Sequence, residues 1–231
     1  MELLTYQNWC ADIKKSLTAL KSKIDQNKIS KSLYGGFYVW DSKYIKNPEI
    51  MFIGINPGNG NPNNSGKVIT EPEHQISYME FLDGENPNYR LAKETIKSFE
   101  MAGYSIQEIK KLFNEKSIKT NFYYLITKNQ TDISKCINEL DNYSFNDFWQ
   151  KSYEWTGQLI ELTNPKVIVS EGKSIFDTIM DYDDVSEKEW KNDCGYCIRP
   201  NGQVIIGYNR IFSIIKNKDG FSELIKRFIK K

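Results

Sequence analysis

The stretch Glu-Ile-Met-Phe-Ile-Gly-Ile at 49–55 constrains the fold most. It is a nearly continuous apolar run that breaks off at Asn56-Pro57-Gly58-Asn59-Gly60-Asn61-Pro62-Asn63-Asn64-Ser65-Gly66. A short apolar run without alternation suits a strand covered on both faces, and such strands belong to parallel sheets flanked by helices. The density of Gly, Pro and Asn that follows neither extends the strand nor starts a helix at once. A long loop therefore stands at the strand's carboxyl end, where open α/β sheets bind ligands.

The rest of the chain alternates in the same style. Residues 6–28 place Trp9, Ile13, Leu17, Leu20 and Ile24 at helical spacing, which predicts an amphipathic outer helix. An aromatic strand is expected at 36–40, and helices at 74–83, 89–102 and 105–116. Residues 118–126 alternate and are rich in aromatic and β-branched side chains, which predicts a second core strand with Asn121 at its middle or exit. The longest helical pattern, 144–163, carries Phe145, Phe148, Trp149, Trp155, Leu159 and Ile160, a stripe read as core packing. A third core strand is expected at 166–170 and a helix at 174–180. Residues 194–198 and 203–207 read as a hairpin turned at Asn201-Gly202, and a last helix covers 221–230. Together these predict one α/β domain over 1–231, with an N-terminal helix and a mostly parallel sheet between helices.

Composition narrows the function. With 31 Lys+Arg against 30 Asp+Glu and a pI near 7.5, the chain is no general duplex clamp, so DNA contact would run through a local patch. No apolar run approaches the ~20 residues that span a bilayer, and residues 1–10 lack a basic segment followed by an apolar one, so no membrane association and a cytoplasmic location are expected. The four cysteines do not form a secreted disulfide framework. Two phosphate-binding patterns fail on spacing: five residues separate Gly60 from Gly66, with Val68 where a P-loop needs a hydroxyl, and Asn63 occupies the third glycine position of a dinucleotide fingerprint. Cys194-Gly-Tyr-Cys197 is a lone pair, and Glu71-Pro-Glu73-His74 reads as a solvated loop, so neither a metal nor an organic cofactor is expected. His74 is the only histidine, so any mechanism based on imidazole would have to use it.

Gly54-Ile55-Asn56-Pro57-Gly58, directly after the apolar strand, resembles the first motif of the uracil-DNA glycosylase superfamily, in the Gly-x-Asn-Pro-Gly form of its mismatch-specific and single-strand-selective branches. Lys119-Thr120-Asn121-Phe122-Tyr123 is similar to the family's second element, an asparagine on the next core strand. Pro165 to Lys173 resembles the segment before its last strand. The resemblance implies a three-layer α/β sandwich around a mostly parallel four-stranded sheet, and hydrolysis of the N-glycosidic bond of uracil or a damaged base flipped out of DNA. Asn56 would orient the attacking water through its amide carbonyl, since an amide is too weak a base to take the proton. Pro57 and Gly58 would let backbone approach the sugar, and Asn121 would read the base edge with Phe122 beside it. The third motif departs from the family. Tyr208-Asn209-Arg210 lacks its His-Pro or Asn-Pro turn, so Asn209 would stand in for the motif's asparagine and Arg210 for a phosphate contact. Tyr78 and Phe81 are candidates for base stacking. That departure keeps a second reading open: a non-catalytic glycosylase-fold module that binds a base, nucleotide, modified DNA or a protein.

Overall fold

In the computed structural model, which describes residues 5–40, 42–57, 66–70, 75–182 and 184–230, the apolar run is a strand buried at every position. The elements in chain order are α1 (Tyr6–Gln26), α2 (Lys28–Leu33), β1 (Gly36–Tyr38), β2 (Ile50–Gly54), β3 (Val68–Ile69), α3 (Tyr78–Leu82), α4 (Arg90–Met101) and α5 (Ile106–Lys116). They continue with β4 (Ser117–Asn121), β5 (Leu125–Ile126), α6 (Gln130–Asn138), α7 (Phe145–Thr163), β6 (Val167–Ser170) and α8 (Lys173–Met180). The last are β7 (Glu187–Lys191), β8 (Cys194–Ile198), β9 (Val204–Tyr208), β10 (Arg210–Ile211), β11 (Ile214–Ile215) and α9 (Lys218–Phe228). The chain groups into two compact units, each assembled from three segments.

The first unit takes residues 1–40, 55–72 and 121–162. Its α1 buries the predicted stripe Trp9, Ile13, Leu17, Leu20 and Ile24, and is capped by Thr5, whose side chain accepts from the Asn8 N–H. Trp9 packs edge-on to Trp40 and to Tyr124, and donates its indole N–H to the Trp155 carbonyl at 3.2 Å. A small sheet in the order β3-β1-β5 completes this unit, with β1 parallel to β3 and antiparallel to β5.

The second unit takes residues 41–54, 73–120 and 163–231 and carries most of the six-stranded sheet, in the order β4-β2-β6-β9-β8-β7. Strands β2, β6 and β9 run parallel, while β8 and β7 continue antiparallel, so the sheet is mixed and wider than the four strands expected. Ile50 and Phe52 of β2, Val167 and Val169 of β6, and Ile206 and Tyr208 of β9 share one core with residues of α4, α5 and α9. On the other face α8 packs so closely on β9 that a Cβ at Gly207 would meet the Phe176 ring at 2.7 Å. Helices thus cover both faces, as the unbroken apolar strand required.

The predicted strand 118–126 is two strands in two sheets: β4 lies beside β2, and β5 pairs with β1. Alternation alone reads through the interruption, which is a backbone bond from the Tyr123 N–H to the Ile55 carbonyl at 2.8 Å. The predicted hairpin forms as β8 and β9, with Gly202 at φ +81° in its turn. Edge strand β7 escapes sequence reading because Trp190 is its one apolar residue, and its charges blunt the sheet edge. Cys194 shares the Tyr196 face of β8, whereas Cys197, three residues on, belongs to the opposite face. The Cys-x-x-Cys pair therefore cannot chelate one ion together.

Burial pushes the Cys136 and Cys197 thiols up from 9.0 to about 11. Protons held more tightly by the folded chain make their contribution complete below pH 9, and it is lost as the pH rises from 9 through 11. The buried phenols of Tyr78 and Tyr208 are raised as well, which extends the loss above pH 10. The urea midpoint is accordingly expected to fall steadily from pH 9 upwards. Cys136→Ala should flatten the first part of that fall; an unchanged slope would refute the assignment.

Candidate functional site

In the first unit, the chain leaving β2 is held by the Ile55–Tyr123 backbone bond, one residue before Asn56 and two residues after Asn121. Asn56 is half-buried, and its amide nitrogen donates to Thr127 Oγ1 at 3.3 Å, to the Thr127 carbonyl at 3.4 Å and to the Pro57 carbonyl at 3.1 Å. Thr127 is fixed in turn by donating to the Asn129 carbonyl at 2.8 Å. These bonds set the rotamer and orientation of the amide. Among the described residues nothing donates to its Oδ1, which is left as an oriented acceptor.

Asn121 closes β4 and is 4% exposed. Among the described residues its side-chain amide makes no hydrogen bond, and its polar atoms keep some contact with solvent. Beside it, Phe122 and Tyr123 are buried in an aromatic cluster. Phe122 lies edge-on to Tyr123 and near Trp149, and Tyr123 stacks on Phe148 at 5.8 Å between ring centroids. Burial pushes the Tyr123 phenol up to about 12, so it stays neutral at physiological pH. Phe122 is thus enclosed within this aromatic cluster.

In the second unit, Gly54 ends β2 and Tyr208 ends β9. Tyr208 is fully buried against Phe221, and burial, then the Glu171 charge, raises its phenol. Asn209 donates its side-chain N–H to Asp193 Oδ1 at 2.8 Å and its backbone N–H to the Asp193 carbonyl at 2.7 Å. Arg210 donates Nε–H to the Glu171 carbonyl at 2.9 Å and Nη1–H to the Phe212 carbonyl at 2.8 Å. The two short strands that follow, β10 and β11, form a hairpin whose tip residue Phe212 is 90% exposed, with Ile211 and Ile214 exposed beside it. Gly58 and His74 lie outside the described residues.

No protein-family model and no curated protein matches the chain.

Sequence reading missed a buried polar group in the second unit. Glu171, 1% exposed and directly after β6, accepts a hydrogen bond from the Tyr78 hydroxyl, while Lys119, 4% exposed, sets its ammonium 5.3 Å from the Tyr78 ring centroid. Burial, then the Glu171 charge, drives the Tyr78 phenol well above its ordinary range. Tyr78 is fully enclosed in the core, so it cannot stack on a base, and Phe81 packs partly buried against the same core. The signal for Glu171 was its position: a carboxylate immediately beyond an apolar strand, at the sheet end where α/β proteins place ligands. Thr127, the anchor of Asn56, carries no local sequence signal.

Proposed function

We propose that the chain is a uracil-DNA glycosylase-like hydrolase that removes uracil or a damaged base from DNA. The reading is carried by the Asn121 amide, which makes no hydrogen bond among the described residues and stands two residues from the backbone bond that ties its segment to Ile55. An amide in that state satisfies both donor and acceptor by pairing with the polar edge of a flipped base. Asn56 supports the same chemistry. The glycosidic bond breaks with its electron pair leaving on the base, water adds to the cation-like sugar carbon, and the proton that water sheds ends, through solvent, on the departed base. Oδ1 of Asn56, oriented by the bonds to Thr127 and Pro57, accepts from that water and aims it. The exposed apolar tip at Phe212 is the kind of element that enters a base stack, which favours DNA as the partner.

One observation favours the second reading, a module that binds a base or DNA without cleaving it. The Asn209 side-chain amide and two donors of Arg210 are engaged within the protein, and losing one preorganised donor to a leaving group costs on the order of 100-fold to 1,000-fold in rate. The two readings separate in one assay. Oligonucleotides containing uracil, hypoxanthine or a mismatch are incubated with the protein, treated with alkali and examined for strand breaks at abasic sites. Breaks that disappear in Asn56→Ala are expected. Retained DNA affinity without breaks would assign the binding module, and neither breaks nor affinity would refute both.

A further inference from the structure

We infer that Arg210 is a positioning residue that pre-forms the β10–β11 finger, rather than a phosphate contact. The base of the finger is tied by Asn209, whose backbone N–H donates to the Asp193 carbonyl at 2.7 Å and whose carbonyl accepts from the Lys216 N–H at 3.1 Å. Its strands are only two residues each, paired Arg210 to Ile215 and Ile211 to Ile214, too few to hold a shape in water by themselves. Its tip residue, Phe212, sits at φ +54° with 90% of its surface exposed, so side-chain packing does not hold it there.

The guanidinium supplies what is missing. Nη1–H reaches across the turn to the Phe212 carbonyl, and Nε–H reaches the Glu171 carbonyl at the carboxyl end of β6. Glu171 is anchored at both ends: its backbone N–H donates to the Ile53 carbonyl at 2.9 Å, and its carboxylate accepts from the Tyr78 hydroxyl. A planar fork can bridge two carbonyls in fixed directions, which the single ammonium of lysine cannot reproduce. Arg210 therefore transfers the rigidity of the sheet to an apolar tip, and the ordering cost is met before the partner arrives. That the partner is duplex DNA rests on the glycosylase-type reading; the latch itself does not.

Two measurements separate the latch from that reading. Hydrogen exchange of the free protein reports the latch: in Arg210→Lys the amides of 211–214 are expected to exchange about 10-fold to 100-fold faster, the equivalent of one lost charge-assisted hydrogen bond, while the rest of the sheet is unchanged. Unchanged exchange at 211–214 would overturn the inference. Binding to a uracil-containing duplex reports the use of the finger. Arg210→Lys should weaken binding about as much as Phe212→Ala, the double variant should add little to either, and the salt dependence should keep its slope. A phosphate contact would behave otherwise, with Arg210→Lys nearly silent and Arg210→Ala lowering the slope by about 0.9. That outcome would also overturn the latch. If the unaltered protein binds no duplex, the glycosylase-type reading fails, and exchange alone decides the latch.

Discussion

Replacing Asn121 by leucine is expected to cut base-excision rate, or base affinity if the chain does not cleave, by on the order of 100-fold to 1,000-fold while leaving the protein as stable as before or more so. The two halves of this expectation share one cause. The Asn121 side chain is largely buried, but its amide makes no hydrogen bond among the described residues and is not fully enclosed, so the fold draws no bond from it. Leucine of similar volume breaks no internal hydrogen bond and adds apolar burial, but removes the groups that would pair with a base. Asn121→Asp is the companion variant: it keeps the shape and replaces the amide donor with a second acceptor, so it too should lose most of the activity. Thermal melts and the strand-break assay on the same preparations decide the matter. A fall in melting temperature of several degrees in Asn121→Leu would show the amide to be structural and remove the main support for the site.

Phe52→Ala is expected to destabilise the second unit by about 3–5 kcal/mol, whereas Phe212→Ala should change stability by no more than about 0.5 kcal/mol. Phe52 is fully buried at the crossing of Tyr78, Phe99 and Phe113, edge-on to Tyr78 and Phe113 with ring centroids 5.4 Å away in both cases. Truncation leaves a cavity among large rings that cannot all collapse into it, and loses the edge-to-face contacts as well. Among the described residues Phe212 makes no such ring contact, and it is 90% exposed, so its removal takes away only surface. Urea unfolding followed through the hydrogen exchange of β2 and β6 reads the difference directly. A loss below about 1.5 kcal/mol for Phe52→Ala would mean that the core repacks around the gap.

Both variants show where the sequence was informative. Phe52 lies in the apolar run at 49–55, and a run without alternation has one solution in water, a strand covered on both faces. The stripe of α1 and the turn at Gly202 were legible for the same reason: spacing and backbone freedom are properties of neighbours in the chain. The end of that strand was legible too, because Asn56-Pro57 does not continue it.

The remainder depended on residues far apart in sequence. Whether 118–126 was one strand or two was settled by the bond from Tyr123 to Ile55, and the orientation of Asn56 by Thr127, seventy-one positions away. The fate of Arg210 shows the same limit. As a lone cation after a strand it reads as a phosphate contact; that its Nε–H and Nη1–H donate to the carbonyls of Glu171 and Phe212 is not written in the sequence. The order of residues determined which segments had to be buried and where the chain had to turn, since burial and turning follow from each side chain's own solvation and backbone preference. Which polar group met which partner was decided by the tertiary structure alone, because a hydrogen bond needs two atoms within about 3 Å and correctly aimed, and spacing along the chain does not carry that information.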